Sequence, residues 1–187
     1  MSRWESNTRE RLEKAAFDLF KEQGFAATTV AEITERAGLT KRTFFRYFND
    51  KREVLFASHD EQPLPLADVG AGMMVRNNPS ELLEYALQRT TERLQGQYEY
   101  LKARQEIIKT DESLRERELQ KQAELANRIK NDAIARQLDR VTAELLAKMG
   151  VAIISSAVYD WLESNNKHPL ANFVEDRFIK LRKVFAD

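Results

Sequence analysis

The chain has 187 residues, with 30 basic and 30 acidic side chains, two histidines and no cysteine. That length suits one medium domain or a small domain joined to a larger one, while the missing cysteines exclude a disulfide framework and His59 and His168 alone leave little for a metal site. Six glycines and four prolines are too few for a turn-rich or collagen-like chain, so an all-α fold is expected. Charges crowd the first ten residues, and the longest uncharged stretch, 149–159, has 11 residues, short of the roughly 18 that suggest a membrane span. The expectation is a soluble cytoplasmic protein that needs no cofactor.

Taken in chain order, Asn7 and Glu10 form an N-cap pair, followed by Leu12, Ala15, Ala16, Leu19 and Phe20 at helical spacing until Gly24. Thr29 with Glu32 opens a second helix through Val30, Ile33 and Ala37, and Gly38 ends it. Thr40 caps a third helix carrying Phe44 and Phe48, and Asp50 with Glu53 caps a fourth. Pro63, Pro65, Gly70, Gly72 and Pro79 cluster in a loop or hinge. Asn78-Pro79-Ser80-Glu81 then starts a larger part, with helices predicted at about 79–95, 98–109, 112–131, 134–164 and 169–185. The boundary at Asn131-Asp132 is the faintest of these breaks.

Charge is unevenly distributed. Arg36, Lys41, Arg42, Arg46, Lys51 and Arg52 face only Asp50 between residues 36 and 52. A helix, an Ala37-Gly38-Leu39 turn and a second helix have the spacing of a helix-turn-helix, whose second helix reads DNA. At 100° per residue Phe44 and Phe48 share one face of that helix, and Arg42 and Arg46 share another. The rings can fix depth and angle while the cations project. Lys41 and Arg42 stand at the end that enters the major groove first, and Arg42 suits a bidentate pair with guanine O6 and N7. Thr29, Thr40, Thr43, Tyr47 and Lys51 offer donors to phosphates, as do backbone N–H groups at the helix starts of Thr29 and Asp50; Asp50 itself is assigned to capping. Phe45 and Tyr47 suit either core packing or DNA contact.

These segments, Thr28-Thr29-Val30-Ala31-Glu32-Ile33, Ala37-Gly38-Leu39-Thr40-Lys41, Thr43-Phe44-Phe45-Arg46-Tyr47-Phe48 and Lys51-Arg52-Glu53-Val54-Leu55, resemble the DNA-binding segment of the TetR family of bacterial transcriptional regulators. The resemblance runs from about residue 8 to 59. It implies a three-helix DNA-binding domain, a larger all-helical domain for ligand binding and dimerisation, and repression relieved by a small molecule. By position, Thr29, Thr40, Lys41, Thr43, Tyr47 and Lys51 match family DNA-contact positions, with Phe45 kept for apolar contact to a thymine methyl. The family usually has a small residue where this chain has Arg42, and most often Tyr where it has Phe45. The first departure adds a possible base contact and the second removes a hydroxyl, so the operator sequence does not carry over.

Residues 1–55 are thus expected to form the helix-turn-helix domain, and 56–187 the ligand-binding and dimerisation domain. In the latter, Leu170, Phe173, Val174, Phe178, Leu181, Val184 and Phe185 form an apolar stripe, while Gly150, Ala152, Ser155, Ser156 and Ala157 form a small-residue surface. With Ile153 they suit a four-helix interface between two copies, or packing within one chain. Such a homodimer would place its reading helices about one DNA turn apart, on a near-palindromic double-stranded operator. An unidentified small-molecule effector would find suitable residues in Phe56, His59, Met73, Met74, Tyr85, Tyr98, Leu101, Ile108 and Trp161, which are equally suited to plain core.

Two other classes compete. An enzyme finds no support, since there is no Gly-rich phosphate loop, H-E-x-x-H or G-x-S-x-G, and the acidic run at 112–124 reads as a solvated face with paired charges. A helical dimeric interaction protein would not need cations at the start of a third helix. Within the DNA-binding class, an activator without small-molecule induction reads the same as a repressor.

Overall fold

The computed structural model describes residues 3–57, 64 and 78–184, with side chains from Asn7 onward. Among them are eight α-helices and no strand: α1 (Arg3–Gln23), α2 (Val30–Arg36), α3 (Lys41–Tyr47), α4 (Pro79–Gln95), α5 (Tyr98–Lys109), α6 (Glu112–Ala135), α7 (Arg140–Glu163) and α8 (Leu170–Val184). A 3-10 turn at Glu53–Leu55 follows α3. Two compact units are formed, one within residues 1–62 and 103–119, the other within 63–102 and 120–187. Pro63, Pro65, Gly70 and Gly72 of the expected hinge, and His59, Met73, Met74 and Phe185, lie outside the described residues.

The amino-terminal unit is built on the apolar face of α1. Leu12, Ala15, Ala16, Leu19 and Phe20 pack with Ile33 of α2 and with Phe44 and Phe48 of and after α3 into one core. The joint between α2 and α3 is a Schellman turn, in which Leu39 N donates to Thr34 O at 2.8 Å and Gly38 N to Glu35 O at 3.0 Å. Gly38 has φ +63, a left-handed value that side chains resist, and a Cβ there would meet the Arg11 guanidinium at 3.1 Å. That same guanidinium donates to Ala37 O.

This core needs a segment far along the chain. Ile107, Ile108 and Leu114 are part of it. Arg104, only 5% exposed, lies over the Phe56 ring at 4.8 Å and donates to Leu55 O at 2.9 Å and to Glu118 at 2.8 Å. Arg117 grips both carboxylate oxygens of Glu53, at 2.5 and 2.9 Å. The acidic run at 112–124 is therefore no plain solvated face, because Arg117 and Glu118 are spent on partly buried pairs and Lys121 is itself buried.

In the carboxy-terminal unit α7 pairs with α4 and α8. Trp161, fully buried, meets Tyr98 edge-on at 5.0 Å and donates to Asn166 at 3.0 Å. Leu83, Leu87, Ile153, Ala157, Leu162, Leu170 and Val174 surround it. By length and composition α7 is apolar enough to cross a membrane, which counting uncharged runs does not reveal because Lys148 interrupts the stretch. Only 28% of its most apolar 18-residue stretch is buried.

Three helix boundaries differ from the sequence expectation. α1 already runs from Arg3, so Asn7 lies inside the helix on an exposed face, where a side-chain amide is tolerated, and is not its cap. The break after α6 falls at 136–139, past Asn131-Asp132: Gln137 takes φ +73, Leu138 N donates to Ala133 O at 3.1 Å, and Asp139 then caps α7 through the Val141 and Thr142 amides. Glutamine has no left-handed preference, so this stop carries no compositional mark. The Asp50 cap is present, accepting from the Arg52 and Glu53 amides at 2.7 and 3.3 Å, but the turn it opens is 3-10 over Glu53–Leu55.

Gly38→Ala is expected to destabilise the amino-terminal unit by about 1–2 kcal/mol, the cost of a left-handed L-residue. Chemical denaturation reads this as a lower midpoint, and an unchanged midpoint would remove the turn from its central place in the fold.

Candidate nucleic-acid interface

α3 divides its surface as a groove-reading helix must. Phe44 is fully buried and Phe48 is 4% exposed, while Lys41, Arg42, Phe45 and Arg46 are exposed on the other side. The Phe45 ring stands edge-on against Phe44, centroids 5.5 Å apart and planes at 83°, so a residue 56% exposed is nonetheless oriented by the core. Tyr47 is half-buried and packs against that core. The sequence left Phe45 and Tyr47 open between core and surface, and the fold separates them.

The helix starts are occupied. Thr29 accepts from Glu32 N at 3.2 Å, while the Glu32 carboxylate accepts from the Thr29 hydroxyl and from Thr29 N, each at 2.8 Å, and these last two bonds hold the Glu32 carboxyl below its usual range. Thr40 accepts from Thr43 N at 3.1 Å, and the two hydroxyls are 3.0 Å apart. Together with the Asp50 cap, these bonds engage the Glu32, Thr43, Arg52 and Glu53 amides.

The six cations between residues 36 and 52 are not equivalent. Arg36 forms two bonds to Glu22 at 2.6 and 2.7 Å. Arg46 donates to the Tyr47 hydroxyl at 3.0 Å, with its guanidinium 4.9 Å from that ring. Arg52 pairs with Asp50 at 2.6 Å. Burial raises the Asp50 carboxyl, but the Arg52 guanidinium and the two amides outweigh it and hold it below the usual carboxylate range. Lys51, expected among the phosphate donors, is turned inward: its ammonium donates to Phe25 O, Ala26 O and Thr28 O at 2.7, 3.3 and 2.8 Å and lies 4.3 Å from the Phe25 ring. Burial lowers its pKa against the opposing pull of Asp111 and Glu32. Among the described residues, Lys41 and Arg42 alone of the six make no hydrogen bond, ion pair or ring contact within the chain.

The remaining expected site residues that are described divide between the two units. Phe56 and Ile108 belong to the amino-terminal core, Tyr98 and Trp161 to the carboxy-terminal core, and Tyr85 is exposed. Ile153 and Ala157 are buried inside the carboxy-terminal unit. Gly150 faces Leu83, whose Cδ1 a Cβ would meet at 3.3 Å. Phe173, Phe178 and Leu181 lean against the same core, with Arg182 4.6 Å from the Phe178 ring. The outward face of α7 instead carries Val141, Leu145, Lys148, Ala152, Ser156 and Tyr159, which at 100° per residue fall within about 80° of one another. The alternation was present in the sequence, but choosing its outward side required knowing where α4 packs. The Arg104 and Arg117 clasp had no local signal, since their partners lie 49 and 64 residues away.

Residues 12–57 match the family model of bacterial regulatory proteins, tetR family. An uncharacterized HTH-type transcriptional regulator, YdeS of Bacillus subtilis (strain 168), is 35% identical over 72 residues, which span 37% of this chain and 36% of that protein. The chain therefore aligns with little more than a third of that relative's length. Two solved structures share the fold at low identity. The fatty acid degradation regulator FadR from Bacillus halodurans has a TM-score of 0.57 at 19% identity, covering 91% of this chain and 92% of its own. FadR from Bacillus subtilis, solved with stearoyl-CoA, has a TM-score of 0.54 at 18% identity, covering 90% of this chain and 95% of its own.

Lys51→Met is expected to lower the stability of the amino-terminal unit by about 1–2 kcal/mol, because three carbonyls lose a charged donor. The slope of DNA affinity against salt should stay unchanged; a slope reduced by about 0.9 would instead mark Lys51 as a phosphate contact.

Proposed function

We propose that this chain, whose residues 12–57 match the family model of bacterial regulatory proteins, tetR family, is a regulator of that kind: a sequence-specific transcriptional repressor that leaves its operator when a small molecule binds. The observation that carries this reading is the exposed face of α3, where Lys41 and Arg42 project without internal partners from a helix anchored by Phe44 and Phe48. A major groove admits such a helix, and unpaired cations approach its phosphates and bases without breaking a bond first. Thr29, Thr40, Thr43 and Tyr47 position the backbone through their hydroxyls. A protein engaged with a bacterial chromosome works in the cytoplasm.

The helix-turn-helix occupies about residues 1–55, its core completed by Phe56, Ala57 and the 103–119 segment, and the rest of 56–187 provides dimerisation and effector binding. A homodimer is supported by α7, whose exposed Val141, Leu145 and Tyr159 are 67%, 54% and 53% accessible. On α8, Ile179 and Val184 are also exposed. A second copy presenting the same face would cover this stripe isologously. Release by an effector requires that the effector bind the DNA-free arrangement more tightly than the DNA-bound one.

Capture of fragments of the source genome by the full chain at moderate salt tests the reading. The expected result is a few fragments sharing an inverted repeat with half-sites roughly one turn apart, lost with Lys41→Ala/Arg42→Ala. Uniform capture, or none, would overturn it. Leu145→Asp/Tyr159→Asp is expected to convert a dimer to a monomer in sedimentation analysis and weaken operator binding. A variant that remained dimeric would remove the α7 face from the interface.

A further inference from the structure

We infer that Arg104 and Arg117, which lie 49 and 64 residues along the chain from the groups they bond, are positioning residues that let the chain discriminate its operator from other DNA. This rests on the DNA-binding reading above and adds what fixes the aim of the reading helix. α3 has seven residues, about 10 Å of helix, and Phe44 is its one buried side chain. That ring fixes the rotation of α3 about its own axis. The direction of the axis is set by whatever holds the two ends.

At the start the hold is local, from the Gly38 turn and the Thr40 cap. At the other end the chain passes from Phe48 into the Asp50 cap, whose carboxylate accepts from the Arg52 and Glu53 amides. There the distant arginines take over. Arg117 bonds both carboxylate oxygens of Glu53, and Arg104 bonds the Leu55 carbonyl while lying over the Phe56 ring and pairing with Glu118. The Arg117 and Glu53 side chains are 18% and 20% exposed, so this pair is shielded from the water that weakens surface pairs. Ile107, Ile108 and Leu114 of the same segment share a core with Phe44, Phe48, Val54 and Leu55, which holds the 53–56 turn from its apolar side as well.

Loosening this end leaves Phe44 seated and lets the axis of α3 swing. Operator binding needs several side chains to reach base edges together, so a swinging helix loses that freedom on binding and affinity falls. Binding to arbitrary DNA is attraction of cations to phosphates, which tolerates a range of helix directions. The clasp therefore acts on the ratio of the two affinities, whereas a smaller folded fraction lowers both in proportion.

The test compares the affinity of the full chain for a fragment captured from the source genome with that for a scrambled duplex of the same length and composition. Arg117→Met, Arg117→Lys and Arg104→Lys are measured alongside, each checked for native helicity by circular dichroism. Arg117→Met should lower the ratio about tenfold, and Arg117→Lys, which keeps the charge but not the two-pronged grip, should fall between it and the unaltered chain. Arg104→Lys should lower the ratio too, and if Arg117→Met does not fold the two lysine variants carry the comparison. The slope of affinity against salt should be unchanged in Arg117→Met, while Lys41→Ala should reduce it by about 0.9. Natively helical variants whose ratio stays within about twofold of the unaltered chain would overturn the inference and leave the regulator standing. A slope reduced by about 0.9 in Arg117→Met would do the same, since it marks a direct phosphate contact. Capture of no preferred fragment would overturn both.

Discussion

A single left-handed residue governs the amino-terminal unit. At Gly38 the chain reverses out of α2 while the amides of Gly38 and Leu39 close the end of that helix, and Thr40 starts α3 two residues later. No longer connection would bring Phe44 beside Ile33 and Leu12 at such short range, and without Phe44 in the core α3 would have no fixed rotation about its own axis. The direction of every exposed side chain on α3 thus depends on a backbone value that only glycine adopts readily. Arg11 reinforces it from α1 by donating to the Ala37 carbonyl, just ahead of Gly38.

The fold also sorts side chains that composition treats alike. Six cations crowd residues 36–52, and charge counting assigns them all to one patch. Three-dimensional neighbours take four of them for internal purposes, among them Lys51, which fastens the loop ahead of α2 to the segment after α3. Similar sorting occurs on α7, where residues one position apart, Ala152 and Ile153, lie on opposite sides of the surface. A helix rich in small and apolar residues has two usable faces, and its partner α4 decides which one is left outside.

This explains which features could be read from the sequence. The caps at Thr29, Thr40 and Asp50 and the glycine turn are interactions within about five residues, and the aromatic anchors repeat at helical spacing, so the local pattern announced them. α4, α5 and α8 were equally plain because Pro79 and the apolar periods mark them locally. Gln137 ended α6 without any compositional mark, since its left-handed backbone is imposed by the hydrogen bond of Leu138 and not by its own side chain. The use of Ile153 and Ala157 as core, and of Arg104 and Arg117 as clasps, depends on contacts with distant chain segments that no local window contains.

The contribution of 103–119 has a consequence for the order in which the protein is made. The helix-turn-helix precedes this segment, yet Ile107, Ile108, Leu114 and the Arg104 and Arg117 clasps arrive 47 to 60 residues after Ala57. At translation rates of about 5–20 residues per second, the nascent head waits several seconds for its last core residues, with part of its apolar surface uncovered. Its completion is a long-loop closure, slower than the local pairing of α1 with α2, so the core around α1, α2 and α3 closes only after Arg117 has left the ribosome.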